Sequence, residues 1–330
     1  MTGKNEFSLI NQKIWVPGSN GMVGNAVVKQ LHSRNLNVLT TENPRLNLIN
    51  QNDVNEWVRR NKPDVIFLCA AKVGGIHANQ TYPVQFIYEN LMIQSNVIHS
   101  AFLNNVKKLV FLGSSCVYPT KAKQPIKESY LLQGKPELTN QHYALAKIAG
   151  IKLIQAYCIQ YKSKFISIMP TNLYGPNDNF HPLNSHVPAA LIDKMHNAKI
   201  NKLKEVEVWG TGTPKREFMH VDDLADAVIF LSENYSGQEI INVGTGKDIT
   251  IMEFAKLIKQ IVGFKGELIF DSSKPDGMKR KLLDTSKLTK LGWKPRINLE
   301  NGIKSYYKWY KNNLLRNSSD NDIIKLVSAQ

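Results

Sequence analysis

Three side chains that together could protonate a carbonyl oxygen stand in the middle of the sequence. Ser114 ends an apolar stretch, and Tyr143 and Lys147 follow it 29 and 33 residues later. The unperturbed pKa of tyrosine is about 10, so a phenol needs help to exchange protons near neutrality. A lysine at i+4 shares the same helix face and would lower that pKa by stabilising the phenolate. The trio therefore predicts chemistry at a carbonyl, with Ser114 holding the oxygen beside Tyr143.

A glycine-rich turn near the start of the chain predicts a dinucleotide site. An apolar stretch runs into Gly18-Ser-Asn-Gly21-Met-Val-Gly24, and apolar residues then recur at helical spacing. Glycine suits this place because the backbone must turn tightly and approach a pyrophosphate, which would sit on N–H groups at the helix start. Such a pattern is weak alone, and its place between a strand and a helix strengthens it.

Strand and helix patterns alternate in the first half of the chain, which predicts an α/β fold with a Rossmann-type doubly wound parallel sheet. Strands are expected over 14–16, 37–41, 64–71, 108–114 and 164–170, and helices over 21–34, 51–60, 83–104 and 140–161. The segments that follow the strands then share one edge of the sheet, where open α/β sheets bind ligands.

The pattern changes after Tyr174, which predicts a smaller α/β substrate-binding domain towards the C-terminus. The dinucleotide-binding domain is expected over 1–174, with the chain returning to it around 213–243. The substrate-binding domain is expected over 175–212 and 244–316, and the polar residues 317–330 are expected to form a flexible tail.

Composition predicts a globular cytoplasmic protein. The 330 residues are 42% hydrophobic, enough for one large or two smaller domains. No apolar run is long enough for a membrane span, and residues 1–8 lack the apolar stretch of a signal peptide. The cysteines Cys69, Cys116 and Cys158 are too scattered for a disulfide framework or a zinc site, so no metal is expected. The net charge of +15 is spread along the chain, which favours anionic small ligands over nucleic acid.

The glycine loop, Ser114, Tyr143 and Lys147 together resemble the extended short-chain dehydrogenase/reductase family. Further motifs resemble its members that act on nucleotide sugars, among them Lys72-Val-Gly-Gly-Ile76, Ser114-Ser-Cys116-Val-Tyr-Pro119, Pro170-Thr-Asn-Leu-Tyr-Gly-Pro176, Asn184-Ser-His186-Val and Arg216-Glu-Phe-Met-His220. The similarity runs from about residue 14 to about residue 309. It implies 3,5-epimerisation of GDP-4-keto-6-deoxy-D-mannose followed by NADPH-dependent reduction at C4.

The resemblance assigns the epimerisations to Cys116 and His186. Hydrogens at C3 and C5 of a 4-keto sugar are acidic because the carbonyl can take the charge as an enolate, and inversion needs groups on both faces. The resemblance implies that Cys116 removes the proton and His186 returns one, while Ser114 and Tyr143 hold O4. The alternatives are that Cys116 is a core residue at a strand end and that His186 only caps a helix.

The resemblance also implies two sets of binding residues. The cofactor set is Gly18, Ser19, Asn20, Gly21, Met22, Val23, Gly24, Leu46, Ala70, Ala71, Leu112, Gly113, Ser114, Ser115, Tyr143, Lys147, Pro170, Thr171, Asn172, Leu173 and His186. The substrate set is Asn172, Lys194, Trp209, Arg216 and Asp276.

The choice of cofactor is where this sequence departs from the family's pattern. Members that prefer NADPH usually carry an arginine in the glycine loop and another after the second strand. Here the loop has Asn20, and Arg45 is the arginine of the later segment. No aspartate ends the second strand to favour NAD. NADPH is therefore expected, with tolerance of NADH.

Two other classes of function stay open. A nucleotide-sugar 4-epimerase or 4,6-dehydratase would not need both Cys116 and His186, and a dehydratase would need an acidic residue where Cys116 stands. A catalytically silent dinucleotide-binding regulator could keep the glycine loop without Ser114, Tyr143 and Lys147.

A homodimer is expected, by resemblance, through the helices near 83–104 and 140–161. Both helices are long, so one face can cover the sheet and leave another to bury. The first carries apolar residues on more than one face, namely Phe86, Ile87, Leu91, Ile93, Val97 and Ile98.

Overall fold

The structure is a computed structural model that describes residues 7–39, 46–181 and 184–327, with side chains described as far as residue 314. The strands are β1 (Lys13–Trp15), β2 (Asn37–Leu39), β3 (Val65–Leu68), β4 (Lys108–Leu112), β5 (Phe165–Pro170), β6 (Asn172–Tyr174), β7 (Glu205–Trp209), β8 (Lys215–His220), β9 (Ile241–Val243), β10 (Asp248–Thr250), β11 (Glu267–Asp271) and β12 (Arg280–Lys281). The helices are α1 (Met22–Ser33), α2 (Gln51–Asn61), α3 (Ile76–Thr81), α4 (Pro83–Leu103), α5 (Gln141–Tyr161), α6 (Val187–Ile200), α7 (Val221–Asn234), α8 (Ile251–Val262), α9 (Ser286–Lys290) and α10 (Leu299–Val327).

The main sheet confirms the predicted fold class. Within the described residues it has six parallel strands in the order β2-β1-β3-β4-β5-β9. Successive residues of a strand face opposite sides. Val65 and Phe67 therefore pack with α1 and α7, whereas Ile66 and Leu68 pack with α2, α4 and α5. Burial on both faces explains why these strands read as continuous apolar runs.

The strands and helices predicted for the first half are present, with bounds shifted by at most three residues. Residues 40 and 41, predicted to end the second strand, lie outside the described residues. β9, which completes the sheet, was not predicted as a strand, because its three residues are too few to show a periodicity.

Helix boundaries follow local capping chemistry. The side chain of Asn50 accepts hydrogen bonds from the first-turn N–H groups of α2. Thr250 and Glu253 form a capping box at the start of α8, which ends at Gly263 with φ +75°. These signals are readable in the sequence because they span only a few residues.

After Tyr174 the chain moves between a second lobe and the main sheet. In the lobe, β8 lies between β10 and β12 and also pairs with β6, while β7 pairs with β11. Helices α6, α8 and α10 pack together around Phe254 and Tyr306. The chain then places α7 against α1 and adds β9 to the main sheet. The segment predicted to return to the sheet is thus divided, because β8 belongs to the lobe. The division into two domains stays a prediction.

The last helix is longer than the sequence suggested. α10 runs to Val327, where a flexible tail was predicted from residue 317. No glycine or proline follows Gly302 in the sequence, so nothing interrupts the helix. Residues 328–330 of that prediction lie outside the described residues.

The helices α4 and α5, with 21 residues each, lie side by side on one face of the sheet. Their inner faces join the buried cluster. Large apolar side chains remain exposed on them, namely Val84, Tyr88, Leu103, Leu145, Ile159 and Tyr161. Of the helices that the structure describes, none combines the length and the apolar character needed to cross a membrane.

Candidate active site

The glycine loop packs its backbone closely where β1 and β3 end. Gly18 has φ +87°, and a Cβ there would lie 2.6 Å from the backbone nitrogen of Ala70. A Cβ on Gly24 would lie 2.0 Å from the carbonyl oxygen of Gly18. Gly21 is the N-cap of α1 and provides no side-chain hydrogen bond to the first turn. First-turn N–H groups have no intrahelical partner, so the loop fits the pyrophosphate of a dinucleotide.

The other predicted cofactor residues follow the strands along the same sheet edge. Ala70 and Ala71 come after β3, and Leu112, Gly113, Ser114 and Ser115 end or follow β4. Pro170 ends β5, Thr171 links it to β6, and Asn172 and Leu173 begin β6. The Thr171 hydroxyl donates to the Glu217 carbonyl at 3.2 Å. Leu46 is partly buried against the cluster of α2, α4 and α5. Arg45, the expected contact of a 2′-phosphate, lies outside the described residues.

Ser114 and Tyr143 meet although they come from different elements. Ser114 follows β4, and its Oγ accepts a hydrogen bond from the Cys116 N–H at 3.2 Å. Tyr143 lies in the first turn of α5, and its hydroxyl hydrogen-bonds the Ser114 side chain. The Phe86 ring meets the Tyr143 ring edge-on, with 6.3 Å between centroids. One carbonyl oxygen could therefore accept hydrogen bonds from both hydroxyls.

The pKa of Tyr143 does not move in the direction that the sequence suggested. Burial, with a contribution from nearby Cys116, raises the pKa of Tyr143 above its ordinary value, and the Ser114 hydrogen bond opposes this. Lys147 donates to the Leu112 carbonyl at 2.8 Å and lies 5.8 Å from the centre of the Tyr143 ring. Burial also lowers the pKa of Lys147 to about 8. The expected lowering is thus wrong for this structure, because burial of the phenol outweighs the Ser114 hydrogen bond that opposes it.

Cys116 differs from the other two cysteines in what surrounds its sulfur. The amide of Asn140 donates to Cys116 Sγ at 3.3 Å, and the ammonium of Lys281 donates at 3.7 Å. By contrast, burial raises the pKa of Cys69 to about 12, and the Cys158 thiol donates to a strand carbonyl at 3.2 Å. The interpretation as a core residue therefore suits Cys69 and Cys158, whereas Cys116 faces polar donors.

His186 occupies a capping position without capping. It is the N-cap of α6, but its side chain makes no hydrogen bond to the helix. The residue is open to solvent, yet the surrounding protein desolvates its ring and lowers its pKa, and the charge of Lys281 adds to this. The Gly75 N–H donates to the Asn184 carbonyl at 2.9 Å, and this hydrogen bond holds the segment that precedes His186. Lys281 thus interacts with both Cys116 and His186.

An exposed aromatic ring has two cations near it in the second lobe. Trp209 ends β7 and is 41% exposed. The ammonium of Lys194 lies 5.3 Å from the ring centre, and that of Lys274 lies 5.6 Å from it. A ring flanked by positive charge suits a nucleoside diphosphate, because the ring can stack while the ammonium groups meet phosphate.

Arg216 and Asp276 touch through the backbone rather than as an ion pair. The Arg216 guanidinium donates to the Asp276 carbonyl at 3.0 Å. The Asp276 carboxylate accepts from the Thr211 N–H and hydroxyl, both at 2.8 Å. Asn172 donates its side-chain amide to the Glu217 carbonyl at 2.8 Å, next to Arg216 in the chain. Asp276 therefore fastens the turn after β7 and leaves the guanidinium half-buried beside Cys116.

Comparison with known proteins places the chain in a family. The model of the NAD dependent epimerase/dehydratase family matches residues 14–244. The chain belongs to this family. This confirms the resemblance to extended short-chain dehydrogenases/reductases.

Individual relatives of this epimerase/dehydratase chain are similar along most of its length. GDP-L-fucose synthase 1 of Arabidopsis thaliana is 55% identical and covers 92% of this chain and 94% of its own length. GDP-L-fucose synthase of Escherichia coli K12 is 50% identical, with 92% and 97% covered. The solved structure of MlghC, a GDP-mannoheptose C4 reductase from Campylobacter jejuni with NADP bound, superposes with a TM-score of 0.84. Its sequence is 44% identical, and 91% of this chain and 98% of that chain are covered.

Near the candidate site, around Asn140, the structure has buried polar groups that sequence reasoning missed. Among the described residues, the buried side-chain atoms without a hydrogen-bond partner include His77 Nδ1, Thr139 Oγ1, Asn140 Oδ1 and Asn184 Oδ1. They lie on contiguous segments, because α3 packs on the turn at 138–140 and Gly75 bonds Asn184. Buried polar groups normally have partners, so this region offers hydrogen bonds to a polar ligand such as a sugar.

Proposed function

We propose that this chain synthesises GDP-L-fucose by epimerising GDP-4-keto-6-deoxy-D-mannose at C3 and C5 and reducing it at C4 with NADPH. The observation that carries the proposal is the position of Cys116. Its backbone N–H bonds Ser114, and its sulfur lies close enough to Tyr143 to shift the tyrosine's pKa. A group able to take a proton from carbon thus stands beside the pair that can hold a carbonyl. Relatives named GDP-L-fucose synthase, 50% and 55% identical, support the substrate assignment.

In the proposed epimerisation, Cys116 and His186 act on opposite faces of the sugar. Ser114 and Tyr143 donate hydrogen bonds to O4 and stabilise the charge that develops there when a proton leaves C3 or C5. In each epimerisation Cys116 removes one proton and His186 delivers one to the opposite face, and both groups exchange protons with water before the next inversion. A lowered pKa makes protonated His186 a stronger acid, which suits this role.

Reduction uses the same hold on O4. When bound, the nicotinamide cofactor supplies the hydride that C4 receives. Tyr143 donates its proton to O4, and a raised pKa keeps the phenol protonated until that moment. Lys147, held by the Leu112 carbonyl, places positive charge on the same helix face and stabilises the phenolate that results.

NADPH is the proposed cofactor, with NADH tolerated. The Campylobacter jejuni reductase with NADP bound supports NADPH. The glycine loop supports a dinucleotide in general, since close backbone approach and first-turn N–H groups do not distinguish the two cofactors. Asn20 in the loop, where an arginine is usual, is the reason for proposing tolerance of NADH.

The proposal includes a homodimer in the cytoplasm. The exposed apolar residues on α4 and α5 support a dimer, because two copies could bury them against each other. The free thiols of Cys69, Cys116 and Cys158 support a reducing compartment.

A C4 reductase that does not epimerise is the second candidate, favoured by the 44% identity to the Campylobacter jejuni enzyme. Incubation with GDP-4-keto-6-deoxymannose and NADPH in deuterated water separates the two. The proposed function predicts GDP-L-fucose carrying deuterium at C3 and C5 by NMR. A C4-reduced product without deuterium supports the second candidate, and no conversion contradicts both.

A further inference from the structure

A lysine outside every motif that suggested catalysis reaches the sulfur of Cys116. Lys281 ends β12, is only 8% exposed, and places Nζ 3.7 Å from Cys116 Sγ. The strand pairs in parallel with β8, with Lys281 opposite Arg216. A buried ammonium is costly unless a partner compensates the lost hydration. The Cys116 sulfur therefore serves as a partner for the buried ammonium of Lys281.

The backbone after Lys281 is held by the buried Glu217 and by the partly buried Gln124. Glu217 accepts from the Leu283 N–H at 3.0 Å with one oxygen and from the Gly246 N–H at 2.7 Å with the other. The Leu282 N–H donates to the Gln124 side chain at 2.9 Å. These hydrogen bonds hold the backbone of the two residues that follow Lys281, so they also fix the position of the Lys281 Cα.

The neighbouring cation on the same strand behaves differently. Arg280 pairs with Asp248 on β10 and is exposed. Lys281, in contrast, interacts with Cys116 and with His186, and Arg216 also interacts with Cys116. Alternation along the strand sends one charge to the surface and the other to the site.

We propose that Lys281 is a positioning residue whose ammonium, 3.7 Å from Cys116 Sγ, stabilises the negative charge of the sulfur when the thiol gives up its proton, an inference that rests on the proposed function. Only the thiolate can take a proton from carbon. An N–H donor that carries charge stabilises the anionic sulfur more than a neutral donor does. The positive charge also acts on His186, where it favours release of a proton to the sugar.

Iodoacetamide alkylation of Cys116 in the free protein tests this, because the thiolate is the reactive form. Lys281→Gln keeps an N–H donor and removes the charge, and Lys281→Met removes both. Each should slow alkylation at pH 7.5 by about tenfold to a hundredfold, the range for a charge-assisted hydrogen bond. Lys281→Arg keeps the charge and should stay within about threefold of the wild type. Arg280→Gln is the matched control and should alkylate as the wild type does.

Circular dichroism shows which variants fold, and Cys116→Ser identifies the modified thiol. An unchanged rate in a folded Lys281→Gln protein overturns the proposal. Slowing by Lys281→Met alone also overturns it, because the hydrogen bond rather than the charge would then matter. Should both neutral variants unfold, Lys281→Arg decides, since a loss above tenfold there contradicts a role for charge.

Solvent exchange connects the residue to the reaction. In deuterated water, Lys281→Gln should lower exchange at C3 and C5 by about the factor seen in alkylation, with KM for the GDP-sugar within about threefold. If the wild type exchanges neither hydrogen, the proposed function fails. The alkylation rates, measured without substrate, still decide whether Lys281 stabilises the thiolate.

Discussion

The side-chain amide of Asn140 donates a hydrogen bond to the sulfur of Cys116 at 3.3 Å. Asn140 is the N-cap of α5, the helix that carries Tyr143, whereas Cys116 lies in the turn after β4. The contact therefore links the proposed carbon base to the proposed proton donor. It fixes the sulfur relative to the two hydroxyls that would hold O4.

Replacing Cys116 by serine should stop epimerisation and spare cofactor binding. A serine hydroxyl is a far weaker acid than a thiol, so exchange at C3 and C5 should fall by at least about 10² to 10⁴. NMR in deuterated water measures the exchange, and fluorescence titration measures NADPH binding. Cys158→Ser, which changes a thiol bonded to a strand carbonyl, should exchange normally. Full deuterium incorporation by Cys116→Ser would show that another group is the base.

The Tyr143→Phe variant should separate reduction from epimerisation. Loss of the proton donor to O4 should lower the rate of NADPH oxidation by about 10² to 10⁴, while some C3 and C5 exchange persists. Absorbance of NADPH follows the reduction, and NMR follows the exchange. Tyr161→Phe removes an exposed hydroxyl of the same helix and serves as the control. Reduction at the wild-type rate would exclude Tyr143 as the donor.

Lys147 should make stability depend on pH in the alkaline range. Burial lowers its pKa to about 8 in the folded protein, against about 10.4 for an unfolded lysine. Between these values the unfolded chain binds more protons, so stability rises with pH. The difference in unfolding free energy, wild type minus Lys147→Met, should grow by about 2 kcal/mol from pH 7.5 to pH 9.5.

Urea titrations at the two pH values measure this difference. The matched control is Lys152→Met, an exposed lysine of the same helix, and its difference from the wild type should not change with pH. If the difference in unfolding free energy between the wild type and Lys147→Met is the same at both pH values, burial does not lower the pKa of Lys147.

Arg216→Ala should weaken binding of the GDP-sugar and leave NADPH binding unchanged. A guanidinium contact to diphosphate is worth about 1.5 to 3 kcal/mol, which corresponds to one to two orders of magnitude in affinity. Calorimetry with GDP and with NADPH measures each ligand separately. Lys215→Ala, at the exposed neighbouring position, is the control. Equal losses for both ligands would place Arg216 elsewhere than at the diphosphate.

A charge on the exposed face of α5 should break the proposed dimer. Sedimentation should give about twice the chain mass of 37.3 kDa for the wild type. Ile159→Glu should give a single chain, because a carboxylate buried in an apolar interface is strongly disfavoured. Leu203→Glu replaces an exposed residue after α6 and should remain dimeric. A 37.3 kDa species for the wild type at micromolar concentration contradicts the dimer.

Patterns that span a few residues determined much of the fold. The glycine loop, the apolar strands and the i, i+4 placement of Tyr143 and Lys147 predicted the sheet, its helices and the edge where ligands bind. The structure has these elements because turn geometry and the alternation of apolar residues act locally. The same short-range logic failed for β9, whose three residues carry too little pattern, and for the end of α10.

Only the tertiary structure decided what surrounds the reactive groups. Asn140 and Lys281 reach Cys116 from positions 24 and 165 residues away in the chain. The direction of the Tyr143 pKa likewise reversed the expectation from Lys147, because burial of the phenol depends on everything packed around it. Side-chain identity and spacing set which chemistry is available locally. Desolvation and charge proximity, which set how those groups ionise, arise only when distant segments come together.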